Sequence, residues 1–171
     1  MRLGIDIGGT KTAAVIVDDA DPAGLSGLAT DRSAGDVVVA LETAPSGRGP
    51  VEVVRVAAGV ADRALARLDP RDRASVTRAG ACMPGLVDPV GDLVRNAVNL
   101  DVDQLRLGRD LGAAIGREVS VENDVKAAAL GAARLLSVRD PRTSPARAGL
   151  GYLNLGTGLA AIDDVDELRA A

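Results

Sequence analysis

The run Leu3-Gly4-Ile5-Asp6-Ile7-Gly8-Gly9-Thr10-Lys11-Thr12 constrains this chain more than any other stretch, because it joins two apolar segments through a two-glycine turn that also carries an acid, a hydroxyl and a lysine. Arg2 to Ile7 and Thr12 to Asp18 read as the strands of a hairpin, the second built on Ala13-Ala14-Val15-Ile16-Val17. Gly8 and Gly9 can take positive φ at no steric cost, which suits a tight turn and lets backbone N–H groups approach a phosphate closely. Thr10 and Lys11 add a hydroxyl donor and a positive charge, while Asp6, at the end of an apolar strand, can hold a Mg²⁺ ion directly or through water. That is the chemistry of a triphosphate cradle, although Gly-Gly between two strands is by itself also an ordinary hairpin turn.

The 171 residues fit one ordinary domain, long enough to bury roughly two thirds of the surface the unfolded chain exposes. Hydrophobic residues make up 47% and aromatics only 1%, with neither Phe nor Trp, so the core must be aliphatic. A chain so poor in aromatics offers no base-stacking platform, and a net charge of -4 gives no basic face for phosphate backbones, so nucleic acid is not an expected partner. With no histidine and the single cysteine Cys82, a disulfide within the chain, a Cys/His zinc site and any His-dependent triad are excluded. A general base must then be a carboxylate, a lysine or a tyrosine. No apolar run approaches membrane-spanning length and no signal-peptide pattern opens the chain, so no membrane partner is expected and the location expected is cytoplasmic.

After the hairpin, a Gly-, Asp- and Pro-rich stretch from Asp19 to Gly35 reads as a loop with a short strand around Leu25 to Ala29, and Val37 to Thr43 as a third strand. Val54, Ala57, Ala58, Ala61, Leu65 and Leu68 recur at helical spacing, with Pro50 near the start and Asp69-Pro70 as the stop. Val76 to Met83 reads as a strand, Leu86 to Val94 as a hairpin flap around Pro89-Val90-Gly91-Asp92, and Gln104 to Ile115 as a helix. A strand from Glu118 to Glu122 leads through Asn123-Asp124, a capping pair, into an Ala-rich helix ending near Val138. Arg139 to Arg147 reads as a linker, Gly149 to Leu155 as a strand, Gly156-Thr157-Gly158 as a turn, and the acidic tail from Asp163 as weakly helical.

Glu122-Asn123-Asp124 places carboxylates where a strand gives way to a helix, the edge at which α/β folds bind ligands. Asp124 can accept the proton of a sugar hydroxyl as its oxygen attacks a γ-phosphorus, and Asn123 offers a donor and an acceptor suited to a vicinal diol. Equally, both residues serve as helix caps. Cys82 reads as a small buried hydrophobe rather than a nucleophile.

Together, Asp6-Ile7-Gly8-Gly9-Thr10-Lys11, the segment Gly80 to Asp88, Glu122-Asn123-Asp124 and Asn154-Leu155-Gly156-Thr157-Gly158 resemble the ROK family of bacterial sugar kinases and repressors, within the actin-like ATPase superfamily. The resemblance implies an α/β lobe of the ribonuclease H-like kind, a mixed sheet that starts as an antiparallel meander and continues as αβ units flanked by helices. It implies a lobe over residues 1–140, then, over 141–171, a linker with the first strand and turn of a truncated second domain. Asp6, Gly8, Gly9, Thr10 and Lys11 fall on the family's first phosphate motif, Gly156, Thr157 and Gly158 on its second, and Asp124 on its catalytic base. Asn99, Glu122, Asn123 and Asp124 fall on the sugar side, and ATP with Mg²⁺ at Asp6 is the implied cofactor. The implied activity is ATP-dependent phosphorylation of a hexose or N-acylhexosamine, with the 6-hydroxyl as the expected acceptor. A sugar and a nucleotide are thus the implied small-molecule partners, and a homo-oligomer or a second domain the implied macromolecular one. The family's Glu-x-Gly-His sugar motif, zinc loop and adenosine pocket are not found in this sequence, which leaves a non-catalytic sugar-binding or regulatory remnant as the alternative.

Overall fold

A computed structural model describes residues 1–18, 38–139, 152–155 and 159–162. Strands β1 (Arg2–Ile7), β2 (Lys11–Val17), β3 (Val38–Pro45), β4 (Arg78–Met83) and β8 (Glu118–Asn123) form one sheet in the order β3-β2-β1-β4-β8. The first three run antiparallel, with Ile7 opposite Thr12 and Lys11 opposite Pro45, whereas β4 lies parallel to β1 and β8 parallel to β4. This is the expected mixed sheet of a meander followed by αβ units. One consequence governs function: the carboxyl ends of β1, β4 and β8 share an edge with the β1–β2 turn.

Helix α1 (Pro50–Ala66) covers one face of the sheet. Its buried residues Val53, Ala57, Val60, Ala61, Ala64 and Leu65 repeat at the helical period, and the alanines let the helix seat closely on Leu3, Ile5, Ile7, Ala14 and Ile16. Helix α3 (Leu107–Ile115) packs beside α1 and against β8, burying Leu107, Leu111 and Ile115. The core is aliphatic throughout, as the missing aromatics demand. Thr12, 1% exposed, is the one buried polar side chain among the described residues.

Asp69-Pro70 ends the helical run as expected, but it also begins a second short helix, α2 (Pro70–Ser75). The Asp69 carboxylate accepts from the backbone N–H of Arg71 and Asp72, both at 2.9 Å, and Pro70 occupies the first turn, where its missing N–H costs nothing. The flap forms as β5 (Leu86–Asp88) and β6 (Leu93–Ala97), and it continues into a strand where a helix was expected: β7 (Val102–Leu105) pairs antiparallel with β6. A 3-10 turn, Val98–Leu100, and Asp101 in the left-handed region at φ 54 connect the two. The helix expected from Gln104 therefore starts only at Leu107. Its N-terminus is capped from a distance, since Asp92 at the flap tip accepts from Gly108 N–H at 2.7 Å and Arg109 N–H at 2.9 Å.

Helix α4 (Asp124–Arg139) follows β8, and β9 (Tyr152–Leu155) pairs with β10 (Leu159–Ile162), a strand not anticipated in sequence. The expected strand at Leu25 to Ala29, most of the expected linker and the Gly156-Thr157-Gly158 turn lie outside the described residues. No helix among the described residues is long and apolar enough to cross a membrane.

Candidate active site

At the shared edge, the sheet register aligns Asp6, Cys82 and Glu122 on neighbouring strands, on the face turned away from α1. The Cys82 thiol donates to Asp6 Oδ1 at 3.6 Å. Burial, then the Asp6 charge and hydrogen bond, then Asp124 and Glu122 push this thiol up to about 12. All three carboxylates therefore act on one spot. A thiol so suppressed is no nucleophile at neutral pH, in line with its reading as a small core residue.

The β1–β2 turn is held by bonds that reach across the sheet. Gly8 N–H donates to Lys11 C=O at 3.0 Å, Ser46 N–H donates to Thr10 C=O at 3.0 Å, and Ser46 Oγ donates to Gly8 C=O at 2.6 Å. Neither Gly8 nor Gly9 takes a positive φ, contrary to expectation; Gly49, Gly85 and Gly116 do. The demand for glycine here is close approach instead. A Cβ on Gly9 would lie 3.1 Å from Asn99 Cβ, and one on Gly8 would lie 3.0 Å from the Lys11 carbonyl oxygen. Gly9, Thr10 and Lys11 are exposed, and the backbone N–H groups of Gly9 and Thr10 have no partner among the described residues. Among the described residues no three side chains gather to bind a metal. Asp6 stands exposed at the end of β1, a single carboxylate that could serve Mg²⁺ only alongside ligands from outside the chain.

Asn99 stands exposed in the 3-10 turn against Gly9, so the structure joins two segments that the sequence separates by ninety residues. Asn123 is the cap of α4: its Oδ1 accepts from Val125 N–H at 3.0 Å and Lys126 N–H at 3.2 Å, while its Nδ2 donates to Gly85 C=O at 3.0 Å. Only one amide hydrogen remains for a ligand. Gly85 has to be glycine, because at φ 113 a Cβ would come within 2.6 Å of the Arg95 carbonyl oxygen. Glu122 Oε1 accepts from Asn123 N–H at 2.7 Å, and Asp124 Oδ1 from Val125 N–H at 2.9 Å. The second oxygen of each carboxylate has no hydrogen-bond partner among the described residues.

Sequence reasoning missed Ser46 and Asp92. Both act through bonds to residues distant in sequence, and the only local signals were the Pro45-Ser46-Gly47 and Gly91-Asp92 turns. Gly156, Thr157 and Gly158 lie outside the described residues, so the structure does not relate them to this edge.

The ROK family model matches residues 63–144. No curated protein sequence matches the chain. Among solved structures, the inorganic polyphosphate/ATP-glucomannokinase of Arthrobacter sp. strain KM is 26% identical with a TM-score of 0.65, the match covering 95% of this chain and 58% of that one. A ROK family glucokinase from Streptomyces griseus, in complex with glucose and AMPPNP, is 24% identical with a TM-score of 0.70, covering 96% of this chain and 44% of that one. A ROK family transcriptional regulator, a homologue of the E. coli MLC protein, is 20% identical with a TM-score of 0.65, covering 96% and 36%. The chain therefore spans well under two thirds of the structures it resembles, and its fold is that of ROK proteins.

Proposed function

From this ROK fold, we propose that the chain is the phosphate- and acceptor-binding lobe of an ATP-dependent sugar kinase acting on a hexose or N-acylhexosamine, with the 6-hydroxyl as acceptor. The observation that carries the reading is the meeting, at one sheet edge, of a turn whose Gly9 and Thr10 N–H groups have no partner among the described residues and a carboxylate, Asp124, whose second oxygen has none there either.

Bound Mg²⁺ and ATP supply the phosphoryl group and neutralise its charge. The chain's own residues do the rest. Asp6 presents its carboxylate to the cation, and the Gly9 and Thr10 N–H groups with the Lys11 ammonium take the phosphate oxygens. The resemblance assigns Gly156, Thr157 and Gly158, outside the described residues, to a second phosphate motif. Asn99, Glu122 and the remaining Asn123 amide hydrogen hold the acceptor, while Asp124 receives its proton as the oxygen attacks, a step contributing about 10²–10⁴-fold. Positioning and charge neutralisation supply the larger share.

In a protein carrying this lobe with its second domain, Asp124→Asn is expected to lower kcat roughly 10²-fold or more and leave sugar affinity nearly unchanged. A variant that keeps near wild-type kcat removes Asp124 from the role of base. Because a regulator shares the fold, titration with glucose, N-acetylglucosamine and an ATP analogue separates the two classes. Binding of sugar alone, without nucleotide, favours the non-catalytic alternative.

A further inference from the structure

Ser46 lies just past β3, half-buried beneath the β1–β2 turn. Its hydroxyl has a single proton, and the 2.6 Å contact with Gly8 C=O requires that proton, since a carbonyl cannot donate. The 3.0 Å contact between Thr12 Oγ1 and Ser46 Oγ must then run the other way, with Thr12 donating. The result is a directed chain from the buried Thr12 hydroxyl through Ser46 to the Gly8 carbonyl, each bond polarising the next. The Ser46 backbone adds a second hold on the same turn through Thr10 C=O, at 3.0 Å.

The carbonyl of Gly8 and the N–H of Gly9 belong to one trans peptide and point in opposite directions. Pulling the Gly8 oxygen in toward Ser46 therefore sends the Gly9 N–H outward, where it has no partner among the described residues. Without that anchor, a glycine-glycine peptide, lacking any Cβ, turns over readily and presents its oxygen outward instead. An outward carbonyl repels an anion where an outward N–H binds it.

We infer that Ser46 is a positioning residue for phosphate: its hydroxyl, itself oriented by Thr12, fixes the Gly8–Gly9 peptide with the N–H facing the ligand. This inference rests on the reading of the Gly8–Lys11 turn as a phosphate cradle, and it adds the residue that sets the cradle's polarity. Ser46 does not touch the phosphate; it acts through the peptide.

The test uses the 171-residue chain labelled with ¹⁵N and titrated with magnesium tripolyphosphate, a probe that needs no adenosine pocket. In the wild type, the Gly9 and Thr10 amide resonances are expected to move on titration. In Ser46→Ala, affinity is expected to fall roughly 5- to 10-fold, the loss of about one well-made hydrogen bond's effect, and the Gly9 amide is expected to shift even without ligand. Ser46→Thr keeps the hydroxyl and is expected to restore both readouts to within about twofold of wild type. If Ser46→Ala does not fold, Ser46→Cys, a weaker donor at the same place, serves for the same comparison. Wild-type affinity in Ser46→Ala, or a Ser46→Thr variant as weak as Ser46→Ala, overturns the inference while leaving the phosphate reading intact. A wild type whose turn amides do not respond to tripolyphosphate overturns the phosphate reading and this inference with it.

Discussion

Along β1, Leu3, Ile5 and Ile7 turn toward α1 and are at most 2% exposed, while Gly4 and Asp6, one residue away, face an open trough of about 940 Å³ on the other side of the sheet. The same division runs through β4, where Ala79, Ala81 and Met83 are buried and Gly80 and Cys82 line the trough. One face is thus filled by large aliphatic side chains and a seated helix. The other has small residues, Gly4, Ala13 and Gly80, along its strands, and at its carboxyl edge Asp6 and Glu122 flank Cys82. A strand alternates its side chains between faces, so one short segment serves both: Ile7 anchors the fold and Asp6 is left exposed for the ligand the proposed function would bring. Stability and chemistry are separated by a single residue step, and substitutions should separate with them.

The largest effect is expected on the packed face. Ile7→Ala removes a fully buried side chain wedged between the sheet and α1 and should cost about 2–5 kcal/mol, read from the urea midpoint at unchanged slope. A loss below about 1 kcal/mol would show that this face is not the tightly packed one.

Gly9→Val comes next and should divide the readouts differently. Gly9 is exposed and its φ is ordinary, so a side chain there does not strain the backbone; it displaces Asn99 and obstructs whatever approaches the turn. Phosphate or nucleotide affinity is expected to drop about tenfold or more, about 1.4 kcal/mol, with thermal stability changing less than in Ile7→Ala. Unchanged affinity would return the turn to a plain hairpin.

How far the sequence revealed this division depended on whether the signal was local. Strand polarity, the meander, the capping pair Asn123-Asp124 and the aliphatic core follow from periodicity and composition, and each appears in the structure near its expected place. Of β7, Gln104 and Leu105 were read as the start of a helix. Its strand character comes from pairing with β6, a tertiary fact that overrides propensity. Gly8 and Gly9 form the expected turn without the positive φ expected of them, and the crowding at Gly9 comes from Asn99, far along the chain. Asn123 kept its capping role, which consumes most of the hydrogen bonds it was expected to offer a sugar. Ser46 was invisible because its contacts with Thr12 and Gly8 span 34 and 38 residues.

The smallest effect is expected on the open face, and it is the one most able to break the contrast. Leu41 on β3 lines the trough at 60% exposure, beside Val15 on the neighbouring strand. A leucine that exposed has little transfer energy left to lose, and threonine, being β-branched, suits a strand. In this chain, Leu41→Thr should therefore alter stability by no more than about 0.5 kcal/mol by urea denaturation, against several for Ile7→Ala. A loss well above 1 kcal/mol would mean that the trough is covered in solution and Leu41 is buried there. The two faces would then differ in what packs on them rather than in whether anything does, and the separation of anchoring from chemistry would survive only at the Asp6 edge.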